Sequence, residues 1–241
     1  MTDPSKPRAL GVIPARGGSK RLPRKNVRDL NGAPLIAYTI AAAAGAANLT
    51  DWLVSSDNDE IMAAAQRYGA PVPYKRPAEL GGDEIRNNDV MLHALDHMEA
   101  ATGAAYDIIV LLQPTCPIRQ SAHIDAAIES LQGSDLDTVA SVKGPFKKRD
   151  PNLKRIRDGV LEDYCGVPPG DDWEPFYIYN ASIYAMRCDW FRRERKFVSE
   201  RQIPLVMDEY HSTDIDTEAD FQVAETLVRH LNIPTPKEIN Q

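Results

Sequence analysis

Short apolar runs alternate with stretches of helical periodicity along this chain, and the alternation itself proposes a fold. ALGVIP at 9–14 reads as a strand, and PLIAYTIAAAAGAA at 34–47 as a helix with Pro34 suited to its first turn. DWLVSSD at 51–57 is a second strand, and NDEIMAAAQRYG at 58–69 a helix closed by Gly69. APVPYKRP at 70–77 reads as a short edge strand, because its prolines cannot donate to a central ladder. In the segment 87–103, Val90, Leu92, Leu95 and Met98 fall near helical spacing. YDIIVLLQP at 106–114 is the most apolar strand and therefore the expected centre of a parallel sheet. A helix at 121–133 with Ser121 as its cap and a strand at 137–144 follow. Strands alternating with helices predict an α/β layered fold, its parallel sheet covered on both faces.

The alternation breaks between about residues 143 and 179, where prolines and clustered charges replace periodicity. Within it, NLKRIRDGVLED reads as a hairpin turning at Asp158 and Gly159. An excursion of this kind in a compact domain is a lid, an arm or a subunit contact. The pattern then resumes with a strand at 181–187, a helix at 188–197, a strand at 203–209 and a helix from about Thr217 to His230. NIPTPKEINQ at the end reads as a loose tail.

Composition narrows the functional classes. The 241 residues carry a formal net charge of −7, which speaks against a nucleic-acid partner. The N-terminus lacks the apolar core of a signal peptide, and the longest apolar stretch is too short and alanine-rich to span a bilayer. Cys116, Cys165 and Cys188 are scattered without CxxC spacing, as expected of buried, reduced thiols in a cytoplasmic protein. His93 and His97 lie four apart with no third ligand nearby, which favours an ordinary helix face over a metal pair.

Against that acidic background, ARGGSKRLPRKN at 15–26 gathers Arg16, Lys20, Arg21, Arg24 and Lys25 without one acid. The loop follows a strand, at the end of an α/β sheet where ligands bind. Gly17 and Gly18 permit a tight turn that brings N–H groups to phosphate oxygens, and the cations add charge-assisted bonds. A triphosphate with its metal suits so many cations. Neither GxxxxGK[ST] nor GxGxxG is present, and composition alone leaves a solvated charged turn equally open.

The run VIPARGGSKRLPRKN resembles the signature of the acylneuraminate cytidylyltransferases, the CMP-sialic acid synthetase family. SSDNDEI, RPAEL with HAL downstream, LLQPTCPIR and DIDTEADF fit the same family in order. The resemblance implies a Rossmann-like nucleotidyltransferase fold, with residues 1–142 and 181–241 forming the α/β domain. Residues 143–180 then form a protruding dimerisation arm that also reaches the sugar. It further implies a homodimer that uses CTP, a 2-keto sugar acid and magnesium. Ala15, Arg16, Gly17, Gly18, Ser19, Lys20, Lys25 and Asn26 inherit the CTP loop, and Arg76 a nucleotide contact. Asn87 stands where the family commonly has a serine facing cytosine; a simple helix cap is the alternative. Gln113, Lys154, Tyr179 and Asn180 fall at sugar positions, although Ala181 replaces the usual glycine. Cys116 replaces a usual serine and reads as a tolerated small residue, not a nucleophile.

Asp214 and Asp216 lie two apart, so an extended backbone points them the same way. Two carboxylates suit magnesium shared with substrate phosphates; the alternative is that Asp216 or Thr217 caps the next helix. With Arg16 and Lys20 they make the expected catalytic set. The reaction expected is transfer of CMP from CTP to a nine-carbon 2-keto sugar acid, with pyrophosphate released. An eight-carbon, KDO-type acid is the alternative, made weaker because those enzymes usually differ at GGSK. A non-catalytic nucleotide-binding protein is the remaining one.

Overall fold

The computed structural model describes residues 6–19, 21–82, 86–146, 154–163 and 176–239. Its strands are β1 (Ala9–Pro14), β2 (Asp29–Leu30), β3 (Ala33–Pro34), β4 (Asp51–Ser55), β5 (Ile108–Leu112), β6 (Thr138–Phe146), β7 (Lys154–Arg157), β8 (Val160–Asp163), β9 (Phe176–Arg187) and β10 (Ile203–Met207). The α-helices are α1 (Leu35–Ala44), α2 (Asp59–Arg67), α3 (Asn87–Thr102), α4 (Ser121–Gln132), α5 (Cys188–Glu194) and α6 (Glu218–His230). Six strands form one sheet in the order β10-β6-β9-β5-β1-β4. β1 runs parallel to β4 and β5, and β10 parallel to β6. β9 is antiparallel to both of its neighbours, a feature that the strand–helix alternation did not announce.

Strand alternation divides the core between the two faces. Ile108, Val110 and Leu112 pack with Ile36, Ile40, Ile124 and Ile128 of α1 and α4. Ile109 and Leu111 pack the other way, with Met91, Leu95 and Phe191 of α3 and α5. β5 is therefore buried on both faces, which is why its sequence is continuously apolar. A third cluster joins Leu30 and Leu35 to Phe221 and Val228, seating α6 against the small β2–β3 hairpin.

Several expectations change in three dimensions. Residues 70–77 make no strand; Val54 N–H donates to Pro71 O, and Pro71, Pro73 and Pro77 have no N–H to continue a ladder. Lys143 and Phe146 pair with Ile178 and Phe176, so both ends of the supposed arm belong to the main sheet. The hairpin at 154–163 forms as expected, Asp158 and Gly159 both taking positive φ at its turn. Ser121 is the first residue of α4, and Gln120 caps it with His123. The tail is not loose: Ile239 N–H donates to Arg67 O, Glu238 pairs with Arg67, and the Thr235 hydroxyl donates to Asn31 O.

Candidate active site

The basic loop leaves β1 beside the turn that leaves β4, because the two strands run parallel and in register from Pro14 to Ser55. Ala15 N–H donates to Ser55 O and extends that ladder by one step, leaving Ala15 buried. Beyond this point the loop opens into a cleft of about 590 Å³. Its walls come from segments distant in sequence. Arg16, Ser19, Arg21, Lys25 and Asn26 line one side, and Arg76 and Asn87 another. Gln113 closes the end of β5, and Asp214 and Asp216 enter from the loop before α6.

The side chains have distinct settings. The Asn26 amide donates to Arg16 O at 3.2 Å and ties the loop's two ends together. The Lys25 ammonium, mostly buried, donates to Ile215 O at 2.6 Å and lies 3.5 Å from Asp216. Arg21 pairs with Asp216 at 3.1 Å. Arg24 departs from the expected cluster: it takes a left-handed backbone and forms an exposed ion pair with Glu60, outside the cleft. Gly17 has its backbone N–H 3.1 Å from Asp57 Oδ1, and a Cβ there would come within 2.7 Å of Asn58 Nδ2. Gly18 has nothing within 4 Å of its Cβ position. Lys20 lies outside the described residues.

Asp214 is the more enclosed acid. Burial raises its carboxyl above the ordinary value; the Thr115 hydroxyl offsets part of this, and Asp216 adds to it. Thr217, not Asp216, caps α6: its side chain accepts from Asp220 N–H while Asp220 returns the bond. The helix-cap alternative for Asp216 therefore fails, leaving both carboxylates on the cleft. Among the described residues no group of three or more His, Cys, Asp or Glu could hold a metal alone. An ion here would need oxygens from a substrate, and magnesium is commonly bound in this way, by one or two carboxylates plus phosphates.

Asn87 is likewise not a cap, since Arg86 occupies that position and Asn87 begins α3 facing the cleft. Cys116 is fully buried; burial and the neighbouring Asp214 push its thiol up to about 12, so it keeps its proton. His93 and His97 pack around Tyr74, away from the cleft lining.

The sugar positions divide. Gln113 is in the main cleft, whereas Tyr179 and Asn180 line a neighbouring cavity of about 540 Å³ that shares Asp214 with it. Asn180 is not an open ligand group. Its amide accepts from the Ser141 hydroxyl at 2.5 Å and donates to Ser212 at 2.9 Å, holding an irregular part of the β6–β9 ladder. Ala181 beside it takes φ 58°, the left-handed conformation that a glycine would adopt freely. Tyr179 is exposed and bonds to Gln202. Lys154 opens β7, with its side chain outside the described residues. Sequence reasoning missed Arg119, which is fully buried and donates to Gln113 O and Ser182 O at 3.3 and 2.7 Å. It ties the end of β5 to β9, and an arginine closing LLQPTCPIR was its signal.

A family model for cytidylyltransferases matches residues 10–168, from the first strand through the basic loop and well past Gln113. The chain belongs to the cytidylyltransferase family. This cytidylyltransferase is 34% identical over 232 residues to a CMP-N,N'-diacetyllegionaminic acid synthase of Legionella pneumophila, covering 92% of this chain and 96% of the relative. It is 33% identical over 215 residues to an N-acylneuraminate cytidylyltransferase of Streptococcus agalactiae; 87% of this chain matches 51% of that one. In fold it resembles a CMP:2-keto-3-deoxy-manno-octonic acid synthetase complexed with CTP, with a TM-score of 0.69 and 18% identity over 93% of this chain and 99% of the other.

Proposed function

We propose that this cytidylyltransferase joins CTP to a nine-carbon 2-keto sugar acid of the nonulosonic type, giving a CMP-sugar and pyrophosphate. One observation carries the reading: cations of the basic loop, Arg76, Gln113 and the Asp214–Asp216 pair line a single cleft at the strand ends of an α/β sheet. Arg16, Arg21 and Lys25 hold the triphosphate, while Asn87 faces the base. The adjoining cavity at Tyr179 takes the sugar acid, with Asp214 between the two compartments. The anomeric hydroxyl attacks the α-phosphorus in line: its oxygen bonds to phosphorus, its proton is released to solvent, and the bond to the departing pyrophosphate breaks. Positioning and charge neutralisation provide most of the acceleration in such transfers. Asp214 and Asp216 would hold magnesium, which would supply Lewis-acid stabilisation of the developing charge.

In this reading the protein is cytoplasmic and works as a homodimer, its arm reaching a second copy. No helix among the described residues is long and apolar enough to cross a membrane. Pyrophosphate release tests the reaction: it is expected with CTP and at least one nine-carbon keto acid in a panel of sialic, legionaminic and pseudaminic acids. Turnover with KDO alone would transfer the reading to the eight-carbon class. No release with any acid would discard catalysis.

A further inference from the structure

Asp57 has no part in the chemistry above, yet the basic loop and the α2–α3 connection both close on its carboxylate. The turn bearing it is held by hydrogen bonds. β4 ends at Ser55, Asn58 caps α2 through Ile61 N–H, and the Ser56 hydroxyl accepts from Asn58 N–H. From this turn, Asp57 Oδ1 accepts from Gly17 N–H at 3.1 Å and from Arg76 Nη2 at 3.0 Å. Its other oxygen faces a later point of the α2–α3 connection so closely that a Cβ on Gly81 would lie 2.6 Å away. The Arg76 side chain is only 3% exposed, and a guanidinium so buried needs an opposite charge beside it. Arg76 N–H also donates to Ser56 O, so backbone and side chain are held by the same turn. Among the described residues the Arg76 Nε has no hydrogen-bond partner, which leaves a donor for a ligand. A lone carboxylate beside a triphosphate site would repel substrate. Paired with Arg76 it is neutral in sum, and its shared oxygen fixes the Gly17 backbone, and with it the loop that carries Arg16 and Ser19 into the cleft, relative to the Arg76 guanidinium.

We propose that Asp57 is a positioning residue for the nucleotide, locking the Gly17 amide and the Arg76 guanidinium into one arrangement before CTP arrives. This rests on the reading of the cleft as a CTP site. The test is calorimetric titration of CTP with magnesium, without sugar acid, into wild type, Asp57→Asn, Asp57→Ala, Arg76→Ala and the double alanine variant, beside melts and steady-state kinetics. Asp57→Ala should raise the Kd and KM for CTP at least tenfold and leave the KM for the sugar acid within twofold. Asp57→Asn, which keeps an acceptor oxygen but no charge, should recover part of that loss. The double variant should lose less than the product of the single losses, because Asp57 acts partly through Arg76. CTP affinity within twofold of wild type in both Asp57 variants would overturn the inference, as would fully multiplicative losses. Failure of both variants to fold would overturn it too, marking Asp57 as structural. Wild type that binds no CTP would sink the nucleotide assignment and this inference with it; wild-type binding with unchanged variants sinks this inference alone.

Discussion

The adjacent glycines of the basic loop are chemically identical and physically unlike. Gly17 is wedged against Asn58, so Gly17→Ala must shift either the loop or the Asn58 side chain that caps α2, and should weaken CTP binding several-fold or more. Gly18 faces open space, and Gly18→Ala should leave the melting temperature unchanged. Any loss of CTP affinity in the second variant then measures how closely phosphate approaches the backbone. Equal affinities in both would contradict the loop geometry. The Asp214 and Asp216 pair makes a second residue-scale prediction. With Thr217 as the cap, Asp216→Ala should not cost the roughly 0.5–2 kcal/mol of a lost cap. Either alanine variant should instead abolish most turnover while melting near wild type. Normal magnesium dependence and normal rates in both would remove them from the site.

At the scale of elements, α6 is held at its start by the reciprocal Thr217–Asp220 bonds. The Thr217 hydroxyl foremost holds the Asp220 carboxyl below its ordinary value; burial opposes it, and the backbone N–H groups of Thr217 and Asp216 add to the lowering. A depressed carboxyl stabilises the fold above its unfolded pKa, near 4, and that stability is lost as pH falls through the lower folded value. Asp220→Asn should therefore lower the melting temperature at pH 7, and the gap from wild type should shrink as pH falls from 4 toward 3. A gap constant over that range would show that charge on Asp220 is irrelevant to the cap.

For the whole molecule, the opening residues of β9 are exposed: Phe176, Tyr177, Ile178 and Tyr179 in succession, with Val206 on the edge strand across β6 and Ile156 and Val160 on the hairpin also exposed. So much apolar surface around one excursion suits a second copy. Light scattering at micromolar concentration is expected to report a dimer, and deleting the 154–163 hairpin to weaken it. A fully active monomer would count against the shared-arm reading.

What was legible in the sequence was whatever depends on neighbours in the chain. Periodicity marks the continuously buried β5, the Asp158–Gly159 turn needs only local backbone freedom, and an acid-free basic loop stands out within an acidic protein. The resemblance carried Arg76, Gln113 and the paired aspartates into a cleft that periodicity alone does not predict. Tertiary structure decided the rest, because those features depend on partners far along the chain. β9 lies between β5 and β6 and runs antiparallel to both. Arg24 leaves the cationic loop for Glu60, 36 residues on. Asn180 spends its amide on Ser141 and Ser212. Asp57 meets Gly17 because parallel pairing of β1 and β4 brings their following turns together, and meets Arg76 because the chain returns after α2 to bond Ser56 O. A side chain's type is local, but which donors and charges surround it is set by packing.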